Sequence, residues 1–130
     1  AWHFVAGLVK SAQKSVILID NYIDETVLVL LSKREAGVKA VIYTGETSLQ
    51  LEQDVKRFNA QYPEIELKKF SRSHDRFLII DRQEVYHIGA SLKDLGKKWF
   101  AFSKIELDAR EMLQRLEPAT LNERILNLDS

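Results

Sequence analysis

The chain has 130 residues, 45% of them hydrophobic, and its 19 basic and 19 acidic side chains cancel to a formal net charge of zero. That length supports one compact core and falls short of two ordinary domains, so we expect a single domain over residues 1–130, excised from a longer protein because the chain starts at Ala1. Cysteine is absent, which excludes a disulfide framework or a thiolate metal site, and no apolar run approaches the roughly 20 residues that cross a bilayer, so a cytoplasmic location away from membranes is expected.

Trp2, Phe4, Val5, Leu8, Val9 and Ala12 recur at helical spacing, which predicts an amphipathic helix over 2–14 leading into a short buried strand, Ser15-Val16-Ile17-Leu18-Ile19-Asp20. Asp24 is placed to cap a second helix that carries Val27, Leu28, Leu30 and Leu31 and stops at Gly37. Val38 to Thr44 reads as a second strand. After Gly45 a third helix presents Leu51, Val55, Phe58 and Tyr62 until Pro63 closes it, and Ile65 to Phe70 is the third strand. The alternation then changes: 75–81 and 84–89 are β-rich runs separated only by Arg82-Gln83, which predicts a hairpin whose turn lacks the favoured Asn-Gly pair. Ser91 to Lys98 reads as a loop or helical turn, Trp99 to Leu107 as a strand, and Asp108 as the cap of a helix through Leu116. The apolar residues Leu121, Ile125, Leu126 and Leu128 suit a last helix or a docking tail.

Strands alternating with helices imply an α/β fold, with a mixed, mostly parallel sheet and helices on both faces. Ligands in such sheets lie beyond the carboxyl ends of parallel strands, which places Asp20, Asn21, Tyr22 and Thr44 around a cleft. Each of the four is equally suited to forming a loop or a cap. Charge is uneven along the chain: residues 68–104 hold nine Lys/Arg against four acids, or +5, while 1–67 sum to −2 and 105–130 to −3. The positive stretch surrounds His74-Asp75-Arg76, a polar trio set directly against the apolar run Phe77-Leu78-Ile79-Ile80 and followed by Asp81. His74 and Arg76 are two apart at a strand start, so both project from one face, and the pair suits an anionic group such as phosphate.

His74, Arg76, Asp81 and the later Gly89-Ala90-Ser91 resemble the HxKxxxxD…GS motif of the phospholipase D superfamily, and the helix, strand and polar DNYID stretch before them resemble that family's opening, over roughly residues 2–107. The resemblance implies a phosphodiesterase of nuclease type that uses no metal or cofactor, with His74 as nucleophile or acid through a phosphohistidine and Arg76 as phosphate clamp. It also implies that Gly89, Ala90 and Ser91 bind an oxygen, with Asp81, Asp20 and Tyr22 in support. Neither His3 nor His87 is followed two residues later by a cation, so a single motif is present and an active site needs a homodimer that brings two copies of His74 together. Arg replaces the motif Lys, the interval from Asp81 to Gly89 is one residue longer than in the family's motif, and Lys93 stands where the family has Asn. These departures leave open a second reading, a degenerate phosphate- or nucleic-acid-binding or dimerisation module. The stretch GASLKDLGKKWFAFSK is also similar to the C-terminal region of bacterial KilA-N or phage-antirepressor-type DNA-binding proteins, which implies nucleic-acid contacts from Lys93, Lys97, Lys98 and Trp99.

Overall fold

The computed structural model describes residues 2–45, 47–70, 76–88, 102–105 and 109–117. Its elements are α1 (Trp2–Ser11), β1 (Ser15–Ile19), α2 (Glu25–Leu31), β2 (Lys39–Thr44), α3 (Leu49–Asn59), β3 (Ile65–Lys69), β4 (Arg76–Ile80), β5 (Glu84–Ile88), β6 (Phe102–Ile105) and a helix α4 over 109–117. The six strands form one sheet in the order β3-β2-β1-β4-β5-β6. The β1–β2 and β2–β3 pairs are parallel, whereas β1–β4, β4–β5 and β5–β6 are antiparallel. The sheet is therefore mixed as expected, with β1, β2, β3 and β5 running one way and β4 and β6 the other. Parallel pairing is confined to the N-terminal half, because β4 enters beside β1 from the opposite direction.

Side chains alternate across the strands and divide the core in two. Val16 and Leu18 of β1 face a large cluster with Ala40, Ile42, Leu78 and Ile80, covered by Val5 and Val9 of α1, Leu28 and Leu31 of α2, and Leu51 and Val55 of α3. Ile17 and Ile19 face the other way, into a smaller cluster with Ile79 and Val85 that is closed by Ala109, Leu113 and Leu116 of α4. Both βαβ crossovers step in the same direction across the sheet, so α2 and α3 fall on the same face. Helices cover both faces, three on one side and α4 on the other.

Three helix boundaries differ from the periodicity, each for a tertiary reason. Helix α1 ends at Ser11, because the N–H groups of Gln13 and Lys14 turn away to bind Asp81. Helix α2 begins under the Asp24 cap as expected, the carboxylate accepting from the Thr26 N–H, but it ends at Leu31. Arg34 is buried just beyond, where its guanidinium donates to the carbonyls of Leu31, Val38, Pro63 and Glu64. That cation joins the end of α2 to the starts of β2 and β3, and burial lowers its pKa from the ordinary arginine value. Gly37, at φ +84, serves the turn after this clamp rather than the helix itself. Helix α3 ends at Asn59 instead of Pro63, since the Asn59 amide pairs in both directions with the Ile65 backbone at 2.9 and 3.0 Å.

The expected hairpin is formed, but β4 ends at Ile80 and the turn is centred on Asp81-Arg82, one residue before the expected Arg82-Gln83. Asp81 and Arg82 both take positive φ, 55° and 60°, and the Gln83 N–H closes on the Ile80 carbonyl at 3.1 Å. Two consecutive left-handed residues are what a type I′ turn demands, and Asp is among the few side chains that tolerate the first position. The expected loop over 91–98, the Asp108 cap and the tail over 118–130 lie outside the described residues. Among the described residues no helix is long and apolar enough to cross a membrane.

Candidate functional site

The registers place charged and polar residues in one row at the carboxyl end of the parallel strands. Ile19 of β1 lies opposite Phe77 of β4 in an antiparallel pair, so one step further Asp20 comes opposite Arg76. Arg76 is in turn opposite Ile88, and Thr44 is opposite Lys69. Since Ile19 pairs with Tyr43 in the parallel register, Asp20 also lies beside Thr44, and the Asp20 N–H donates to the Tyr43 carbonyl at 3.0 Å. The last row on the α1–α3 face thus reads Lys69, Thr44, Asp20, Arg76, Ile88.

Within this row Asp20 and Thr44 are buried and Lys69 is exposed. Burying a carboxylate is costly unless it is compensated. Compensation for Asp20 includes its Oδ1 accepting the Tyr22 N–H at 3.0 Å and an ion pair with Arg76 Nε at 3.5 Å. At that distance the ion pair is not a hydrogen bond, and Arg76 Nε is buried without a hydrogen-bond partner. The Arg76 side chain is 27% exposed, and its guanidinium carbon sits 5.3 Å from the centroid of the Tyr22 ring. Tyr22 is 53% exposed. The resulting arrangement stacks a partly exposed planar cation on an aromatic ring over a buried carboxylate.

The next residues hold this edge open. The Gly45 N–H donates to Asn21 Oδ1 at 2.9 Å, tying the end of β2 to the loop after β1. A Cβ at position 45 would stand 2.6 Å from that oxygen, so any side chain there would push the Asn21 amide aside and loosen the clamp. Sequence reading placed Asn21 at the cleft without finding this clamp; an Asn just after one strand and a Gly just after its parallel neighbour were the available signal.

Of the residues singled out from the sequence, Arg76, Asp20 and Tyr22 are brought together. Asp81 is not with them: it stands at the far end of β4, where its carboxylate accepts the N–H groups of Gln13, Lys14 and Ser15 at 2.7–3.2 Å. Desolvation pushes the Asp81 carboxyl up, and the hydrogen bonds from Lys14, Ser15 and Gln13 together with the Lys14 charge outweigh it, leaving the pKa below the ordinary carboxylate value. Its support is structural, fastening the hairpin to the α1–β1 junction. His3 is exposed on α1, and His87 lies on the opposite face of the sheet against Phe77, ring centroids 5.4 Å apart. His74, Asp75, Gly89, Ala90, Ser91, Lys93, Lys97, Lys98 and Trp99 lie outside the described residues, and so does most of the stretch that is similar to KilA-N-type proteins. Among the described residues no group of three or more His, Asp or Glu side chains is arranged to hold a metal ion.

No family model and no curated protein sequence matches the chain. Several solved structures share its fold, TrmBL2 and NucT among them. TrmBL2, an archaeal chromatin protein whose structure shows a novel mode of DNA binding, is 20% identical with a TM-score of 0.53, over 96% of this chain and 48% of TrmBL2. NucT from Helicobacter pylori is 12% identical with a TM-score of 0.61, over 92% of this chain and 86% of NucT. The chain therefore spans about half the length of TrmBL2 and most of NucT. The likeness shows that the fold is α/β and phospholipase D-like; at these identities it speaks for fold alone, and chemistry has to be argued from side chains.

Proposed function

We propose that this domain is a phospholipase D-like module that binds the phosphate backbone of a nucleic acid through Arg76, in a DNA-associated protein, without turning the ligand over. The observation that carries this reading is the Asp20–Arg76 pair. A clamp for phosphoryl transfer works by supplying positive charge as negative charge develops on the phosphoryl oxygens. Here a fully buried carboxylate at 3.5 Å already offsets the Arg76 charge, so what remains toward solvent is directional N–H donation. That suits a bidentate contact to a resting phosphate. The exposed Lys69 in the same row adds charge at the same edge. TrmBL2, a DNA-binding chromatin protein, and NucT, a phospholipase D-superfamily nuclease, both support a nucleic-acid partner.

A second reading keeps the enzyme. The His74-x-Arg76 spacing retains the nucleophile and one cation of the family motif, and a homodimer about a two-fold axis would bring two copies of His74 together.

Fluorescence anisotropy with labelled DNA, run alongside cleavage assays in EDTA, separates the two. The binding reading expects salt-sensitive affinity, lowered about tenfold or more by Arg76→Ala and little changed by His74→Ala, with no cleavage. The enzyme reading expects chelator-resistant cleavage that His74→Ala abolishes, by a species that sizes as a dimer. Binding indifferent to Arg76→Ala overturns both.

A further inference from the structure

We infer that Tyr22 is a stacking platform for an unpaired base, so that the ligand of the Arg76 edge is single-stranded nucleic acid; this rests on the phosphate-binding reading above. Tyr22 is among the few large hydrophobic side chains left exposed, at 53%, and of these it lies at the carboxyl edge beside the row of polar residues. Its position is specified rather than incidental. The Asp20 carboxylate accepts the Tyr22 N–H at 3.0 Å, which turns the chain sharply after β1. The same oxygen faces Arg76 Nε at 3.5 Å, so one buried atom positions both the ring and the guanidinium above it. The Asn21–Gly45 clamp then fixes the residue between them. Five residues, Asp20, Asn21, Tyr22, Gly45 and Arg76, thus present a flat aromatic surface with a planar N–H donor over it.

A sugar–phosphate carrying a base has the matching pair of features: phosphate oxygens for the Arg76 Nη groups and a flat π-face for the ring. Duplex DNA offers the first and hides the second within its own stack, whereas a single strand offers both. A stacking contact tolerates any base, so the expected preference is for strandedness rather than sequence. A free nucleotide shares this chemistry at one site only; a strand adds neighbouring phosphates within reach of Lys69, which stands in the same row.

The experiment uses the whole chain and compares a labelled oligothymidylate, a duplex of the same length, a mononucleotide and inorganic phosphate, each against wild type, Tyr22→Phe, Tyr22→Leu and Arg76→Ala. Tyr22→Phe should bind the single strand as wild type does. Tyr22→Leu keeps apolar bulk under the guanidinium but has no π-face, and should weaken the single strand roughly tenfold while leaving duplex and phosphate binding in place. Irradiating a complex with 5-bromouracil-substituted oligonucleotide should crosslink the base to Tyr22, a readout that a merely structural tyrosine does not move. Binding that depends on Arg76 but is equal in wild type and Tyr22→Leu overturns this inference alone, as does a mononucleotide bound as tightly as the strand. Loss of all binding preferences together with indifference to Arg76→Ala overturns it along with the reading beneath it.

Discussion

The two ends of β4 carry charged residues of opposite sign, and they are treated in opposite ways. At one end Asp81 is closed: its carboxylate accepts three successive backbone N–H groups at hydrogen-bond distance. At the other end Arg76 is open: its Nε faces Asp20 at 3.5 Å without a hydrogen bond, and its guanidinium lies over a half-exposed tyrosine. Both residues lie in the one stretch that resembles a family motif, so such a resemblance does not reveal which charge is structural. Saturation of hydrogen-bonding capacity does. A group whose partners are all supplied by its own fold is spent on stability, and one left short at an exposed edge is available to a ligand.

The largest effect expected from breaking this contrast is at the closed end. Asp81→Ala strands three N–H groups and puts a Cβ-bearing residue with no local hydrogen bond at φ 55, so urea denaturation should show a loss of about 2 kcal/mol. Asp81→Asn, which keeps an acceptor and tolerates the left-handed backbone, should lose about half as much. The contribution also depends on pH. The folded-state pKa of Asp81 is depressed below the unfolded value, so its stabilisation is fully present above the ordinary carboxylate pKa of about 4 and disappears as pH falls through the lower folded value. The gap between wild type and Asp81→Ala should therefore be constant above about pH 5 and shrink below about pH 4.

An intermediate effect is expected when the open end is opened further. Asp20→Asn keeps an oxygen for the Tyr22 N–H but removes the charge that offsets Arg76. DNA affinity should rise a few-fold at low salt with a steeper salt dependence, a shift worth about 1 kcal/mol at most. Unchanged affinity would mean that Arg76 does not meet the phosphate, whatever its geometry. The smallest effect belongs to the turn between the two ends' strands. Arg82 holds φ 60 and pairs with Glu117 at the surface. Arg82→Gly relieves a left-handed backbone at the cost of an exposed ion pair, so the net change should be a gain of no more than about 0.5 kcal/mol, readable as a small rise in the denaturation midpoint with binding unaffected.

Much of the fold was legible because it is local. Period-2 and short apolar runs such as Val16-Ile17-Leu18-Ile19 and Phe77-Leu78-Ile79-Ile80 announced strands, and the Asp24 cap announced α2. Helix ends were less legible: α2 and α3 stop where Arg34 and Asn59 bind backbone from other elements, and periodicity contains no information about such partners, which for Arg34 stand 29 and 30 residues away. The order of six strands explains the rest. Asp20 meets Arg76 only because β4 enters antiparallel beside β1 in one particular register, and a shift of one residue would send Arg76 to the opposite face. The amino-acid sequence by itself determined roughly where strands and helices form and that a cation, Arg76, stands at the start of the apolar run of β4, since propensity and periodicity act within a few residues. Which charge is saturated with hydrogen bonds and which is left short of them was decided by tertiary structure alone, because hydrogen-bond satisfaction depends on groups brought together from distant parts of the chain.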